Sequence, residues 1–75
     1  MQVGDLVIRK VQGLPDYLLK PAVEQRQLLG HGVVLSRQMA GYPSHPCLSV
    51  YYPKAGEIYE IAESLMEVIG KAKNK

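Results

Sequence analysis

The chain has 75 residues, 47% of them hydrophobic and 21% charged, with a formal net charge of +2. So short a chain has room for one domain and hides only about 60% of its unfolded surface, which leaves little material for a deep catalytic cleft. The longest aliphatic runs, Leu6-Val7-Ile8 and Val33-Val34-Leu35, fall far short of the ~20 residues of a membrane span, and no basic stretch followed by an apolar run marks a secretion signal.

Residues 3–11 read as a strand, β-rich and ended by Gly13 and Pro15. Alternation puts Val7, Arg9 and Val11 on one face and Leu6, Ile8 and Lys10 on the other. Neither face is purely polar, so partial cover on both sides is expected. Residues 12–28 read as an irregular, partly helical excursion. Pro15 and Pro21 each suit the first position of a helical turn, and residues 21–27 could form one or two turns. Its apolar residues, Tyr17, Leu18, Leu19 and Val23, argue against disorder.

Residues 29–37 read as the second strand, with Gly30 and Gly32 placed for a sharp bend or a close backbone approach. Residues 38–46 form a turn-rich link through Gly41, Pro43, Ser44 and Pro46. In the third strand, residues 47–52, alternation puts Leu48, Val50 and Tyr52 on the core side and Cys47, Ser49 and Tyr51 on the other. Pro53-Lys54-Ala55-Gly56 is a hairpin connection. Residues 57–62 make a fourth strand with Tyr59 and Ile61 inward, residues 63–65 a single tight turn, and residues 66–69 a fifth strand closed by Gly70. One amphipathic helix over residues 57–69 is the competing pattern, because Ile58, Ile61, Leu65, Val68 and Ile69 fit helical spacing.

Chemistry-bearing residues are few. Cys47, His45 and His31 could offer three metal ligands, but a structural zinc site needs four, so no metal and no cofactor is expected. His31 and Cys47 could form a base and nucleophile, yet nothing supplies an oxyanion site or an orienting group. Gly30-x-Gly32 lacks the third glycine and the helix of a dinucleotide fingerprint. Asp5, just after Gly4, is better suited to bonding a turn than to acid catalysis. Glu57, Glu60, Glu63 and Glu67 read as a solvated face. The lone cysteine makes no internal disulfide, which fits a reducing compartment.

Charge is unevenly placed. The nine Lys and Arg less Lys71, Lys73 and Lys75 leave six against seven acids, a net of −1 over residues 1–70. That body is expected to be the domain, with residues 71–75 a basic tail. The tail is either a solubilising end or a phosphate-seeking arm. Five tyrosines carry all the aromatic area, since Phe and Trp are absent. Tyr52 and Tyr59 read as core. Tyr17, Tyr42 and Tyr51 are candidates for exposure and for protein contact; exposed tyrosines could instead stack bases. The near-neutral body favours protein over nucleic acid.

Several segments together resemble a known group: Val3-Gly4-Asp5-Leu6-Val7, Gly30-His31-Gly32-Val33-Val34-Leu35-Ser36, Val50-Tyr51-Tyr52, Gly56, Ile61 and Leu65-Met66-Glu67-Val68-Ile69. Five short strands with a one-turn helix before the last resemble SH3-like barrels, and in particular small proteins of tailed bacteriophages of marine and cyanobacterial hosts. Tyr52 stands where that group usually has a tryptophan, and residues 12–28 and 38–46 exceed its common pattern. The resemblance implies a mostly β, five-stranded barrel with the insertion after its first strand. It implies a non-catalytic module, a virion or assembly accessory in the host cytoplasm or particle, that binds a protein partner or itself. The Gly-Asp start and Gly-x-Gly strand are also similar to KOW-type barrels, which implies the alternative of a nucleic-acid-binding accessory using Lys71, Lys73 and Lys75.

Overall fold

The computed structural model describes residues 1–71, and its regular elements fill most of them. They run β1 (Leu6–Arg9), α1 (Asp16–Leu29), β2 (Gly32–Ala40), β3 (His45–Tyr52), β4 (Glu57–Ala62), a single 3-10 turn (Glu63–Leu65) and β5 (Met66–Gly70). All five strands pair antiparallel in one sheet of order β4-β3-β2-β1-β5. The sheet is open: no ladder joins its edge strands β4 and β5. The fold is thus mostly β with one helix.

The boundaries differ from the sequence reading in three places, each for a physical reason. The first strand is only four residues long. Residues before it belong to a turn, where the Asp5 carboxylate accepts a hydrogen bond from the Gln2 backbone N–H at 2.8 Å. This is the turn-bonding role expected of Asp5.

The excursion over residues 12–28, expected to be irregular with one or two helical turns, is helical over a longer stretch: Asp16–Leu29 form one helix of 14 residues. Apart from Pro21 and Val23, its middle and end are built from good helix formers, Leu18, Leu19, Lys20, Ala22, Glu24, Gln25, Arg26, Gln27, Leu28 and Leu29. Pro15 stands at the N-cap and Asp16 puts its charge in the first turn, where it complements the helix dipole. Pro21 sits inside the helix, where it removes one backbone bond. Burial of Ala22 and Leu29, seven residues apart on one face, offsets that loss. Gly30 ends the helix with φ +66° and donates its N–H to the Arg26 carbonyl at 2.9 Å, so the second strand starts at Gly32 rather than at residue 29.

The turn-rich link over residues 38–46 is largely ladder. Gln38 pairs with Cys47, Met39 with Pro46 and Ala40 with His45, leaving residues 41–44 as the tip. Residues 57–62 form the expected strand, and residues 63–65 the expected tight turn before the last strand. The helical alternative over 57–69 is not adopted.

The core lies on one face of the sheet. Val7, Val34, Leu48, Val50, Tyr52 and Met66 are buried there with Leu29 of α1, and Tyr59, Ile61, Val68 and Met1 pack at its margin. Each fully buried aliphatic side chain contributes about 1.5–3 kcal/mol over leaving it in water. Tyr52 and Tyr59 meet edge to face at 5.5 Å and 84°, a favoured aromatic geometry. The Tyr52 hydroxyl is directed at the Met66 sulfur, 3.9 Å away, and burial pushes it above the usual phenol range. Gly32 is required by close approach. A Cβ there would overlap Val50 Cγ1 and stand 3.0 Å from the Tyr51 carbonyl oxygen and 3.1 Å from the Tyr52 ring. No helix among the described residues is long and apolar enough to cross a membrane.

Candidate protein-interaction surface

Strand register places an apolar row on the face opposite the core. Ile58 of β4 pairs with Tyr51 of β3, Tyr51 with Val33 of β2, Val33 with Leu6 of β1, and Leu6 with Gly70 of β5. Directly paired residues share a face, so these five line up across the whole sheet. Their chain neighbours Val7, Val34 and Tyr52 are the buried residues of the other face. Ile58 is 62% exposed, Leu6 38% and Tyr51 37%. A bulge between Val34 and Ser36 and another beside Val68 leave Leu35 and Ile69 exposed as well. The rim beyond the row is polar, with Ser49 paired to both Ser36 and Glu60. An apolar patch with a polar rim is the kind of surface on which interaction sites are built.

A second concavity lies beside the helix. A groove of about 510 Å³ is lined by Arg9, Leu18, Pro21, Gln25, Leu28 and Tyr59, among others. Arg9 is fixed at its wall: its Nε donates to Gln25 Oε1 at 3.2 Å and one terminal nitrogen to the Leu65 carbonyl at 2.9 Å. On this helix Tyr17 and Leu28 are strongly exposed.

The three tyrosines singled out from the sequence are all exposed, but they stand on three different elements. Tyr17 is in the first turn of α1, Tyr42 is fully exposed at the β2–β3 tip, and Tyr51 is in the outer row. Among the described residues the ring contact is the core pair Tyr52–Tyr59, so the fold does not gather the exposed three into one aromatic site. Ile58, Leu6 and Val33 complete the outer row and were not singled out beforehand. The signal was present: neither face of residues 3–11 is polar, and Ile58 alternates with core-facing Tyr59.

Of the tail lysines, Lys71 is exposed just past β5, while Lys73 and Lys75 lie outside the described residues. His31 is exposed beyond the strand end. Among the described residues no three of His, Cys, Asp and Glu are grouped as a metal ion would require.

Several cations are committed within the fold. Arg37 Nε donates to Glu63 Oε2 at 2.7 Å, and the Met1 amino group reaches the same oxygen at 3.4 Å. The Arg37 hydrogen bond, with the N-terminal amine behind it, holds the Glu63 carboxyl below its usual range. Arg26 stands 3.7 Å from Glu67, and Lys54 Nζ donates to the Gln27 carbonyl at 2.7 Å. The Tyr59 hydroxyl donates to Glu57 at 3.3 Å, and that carboxylate's charge lifts the phenol above its usual range. These bonds tie helix, sheet and N-terminus together.

Comparison with protein-family models, with curated proteins and with solved structures found no match.

Proposed function

We propose that the chain is a non-catalytic protein-interaction module, and that its interaction surface is the outer face of the sheet. One observation carries this reading: the row Ile58–Tyr51–Val33–Leu6–Gly70 crosses all five strands on the face that the helix leaves uncovered. In a domain this small, exposed apolar area across a full sheet is costly to leave in water. A partner protein covers it. Tyr17 and Tyr42 serve as secondary contacts on the helix and the hairpin tip. Five antiparallel strands with a one-turn helix before the last support an SH3-like reading of the sheet. The setting in a bacteriophage particle or its assembly rests on the sequence resemblance alone.

The nucleic-acid alternative has less behind it. Phosphate binding draws on several free cations clustered together. Here Arg9, Arg26, Arg37 and Lys54 are engaged with acids, an amide or backbone carbonyls.

The test is association measured by gel filtration with light scattering, alone and with cell extract. Tyr51→Ala with Ile58→Ala should keep the native circular-dichroism spectrum and lose all association. Association that persists in the double variant would overturn the assignment to this face.

A further inference from the structure

We infer that the groove beside α1 binds a small apolar monocarboxylate, with its carboxylate on the Arg9 guanidinium and its acyl chain along the helix. The groove lies on the helix side of the sheet, so the inference stands apart from the outer-face reading above.

The three arginines of the chain are not alike. Arg37 is bonded to Glu63 and Arg26 stands beside Glu67, whereas Arg9 has no carboxylate within ion-pair distance among the described residues. Arg9 is half-buried and lines the groove. Its bonds go to neutral groups. Nε donates to the Gln25 amide oxygen at 3.2 Å, and one terminal nitrogen donates to the carbonyls of Leu65 at 2.9 Å and Lys10 at 3.4 Å. A guanidinium carries five N–H donors, and the second terminal nitrogen keeps its two without an acceptor among the described residues. No buried side-chain nitrogen or oxygen there lacks a partner, so this nitrogen is open to solvent. A cation partly withdrawn from water and already fixed by its other bonds gains a charge-assisted contact to an anion with little further loss of side-chain freedom.

The walls specify the rest of the ligand. Leu18, Pro21, Gln25 and Leu28 line the groove at spacings of three, four and three residues, so they form one stripe along α1. From Leu18 to Leu28 that stripe runs about 15 Å. Leu18 is 42% and Leu28 73% exposed, apolar area that an extended acyl chain would cover. The side chains of Leu18, Pro21 and Leu28 offer no partner to the backbone amides of a peptide, which favours an acyl chain over a peptide end. The volume of about 510 Å³ falls within the range of small-molecule sites, which are mostly apolar with a few placed polar groups.

Glu24 limits the charge of the ligand. It borders the same groove and is exposed. Its charge repels a dianionic phosphate about twice as strongly as a monoanion at the same distance, which favours a carboxylate head. A smaller hollow of about 410 Å³ shares Glu24 and Leu28 with the groove and reaches Lys54. Lys54 is exposed, so its charge is screened by solvent, and Arg9 is the anchor.

The experiment titrates the full chain with sodium octanoate, followed by NMR of the Leu18, Leu28 and Leu29 methyl groups and the Tyr59 ring. Octanol serves as the uncharged analogue with the same chain. Octanoate should saturate in the millimolar range, and octanol should bind about tenfold more weakly, the worth of one charge-assisted bond. Inorganic phosphate should not compete. Arg9→Gln should erase the preference for octanoate, Arg9→Lys should keep part of it, and Lys54→Gln should leave it unchanged. Leu28→Gln, at an exposed position that does not endanger folding, should weaken octanoate severalfold; it carries the test of the groove if Arg9→Gln does not fold. Equal binding of octanoate and octanol overturns the proposal, as does displacement of octanoate by phosphate or loss of the preference in Lys54→Gln. Shifts confined to Leu6, Tyr51 and Ile58 would place the ligand on the outer face and overturn the assignment to the groove. The absence of any saturable shift overturns the proposal and leaves the outer-face reading untouched.

Discussion

The two faces of this sheet are made of adjacent residues and have opposite fates. Leu6 and Val7, Val33 and Val34, Tyr51 and Tyr52 stand next to each other in the chain. The second of each pair is 0–1% exposed, whereas the first looks away from the core. Composition does not separate the faces, since both are apolar. What separates them is the helix: α1 seats Leu29 against one face and leaves the other open. Alternation therefore decides which face a residue joins, and packing elements decide which face becomes the interior.

The largest expected effect lies on the covered face. Tyr52→Ala removes a fully buried ring with its contacts to Tyr59 and Met66, and such truncations cost about 3–5 kcal/mol. Marginal stability for a chain this size is about 4–11 kcal/mol, so the urea-unfolding midpoint should fall by at least about a quarter. Ile58→Thr, one strand away on the open face, keeps a β-branched residue and should move stability by no more than about 0.5 kcal/mol. Equal losses at the two sites would mean that the outer face is packed within the monomer, and the contrast between the faces would fail.

Gly32→Ala is the next test, with an intermediate effect. The added methyl points to the covered face, into Val50 and the backbone of Tyr51. Overpacking of this kind costs about 1–3 kcal/mol, read as a lower urea midpoint with an unchanged slope. The same substitution at Gly30 meets only the end of the Lys54 side chain at 3.7 Å, but must adopt φ +66°, so its cost is backbone strain at a helix end rather than lost packing.

Much of the sheet was legible because its signals are local. Leu48, Val50 and Tyr52 alternate cleanly, and the turn over residues 63–65 is bounded by apolar strands. The helix was legible only in part: Pro15 and Pro21 each suited the start of a helical turn, and nothing local showed one continuous helix running through Pro21. Its existence depends on Ala22 and Leu29 finding the core, a tertiary fact that no window of sequence contains. The ladder through Gln38–Cys47 was hidden in the same way: Gly41, Pro43 and Pro46 announce turns, and only pairing across the tip shows how short the turn is. For the candidate surface, Tyr51 was visible as an outward residue. The row was not, because it requires the register of five strands at once. Exposure of Tyr17 and Tyr42 was correctly anticipated, yet their distance from the row in the fold could not be.

The smallest expected effect lies where the covered face runs out. Arg37 pairs across the ladder with Leu48, on the core side, and its guanidinium closes that end on Glu63. Because the Arg37 bond depresses the folded-state value of the Glu63 carboxyl below 4.5, the folded form binds the proton less readily than the unfolded chain. The pair's stabilisation is therefore fully present above pH 4.5 and is lost as pH falls through the lowered value. Both groups are solvent-screened, so the loss should amount to a few degrees of Tm at most. Thermal scans from neutral pH to well below 4.5 should show a steeper acid decline for the native chain than for Glu63→Gln, which has no carboxylate to protonate at that position. Identical declines would mean that the ion pair lies outside the cooperative unit, and that the covered face ends at Leu48 rather than at Arg37.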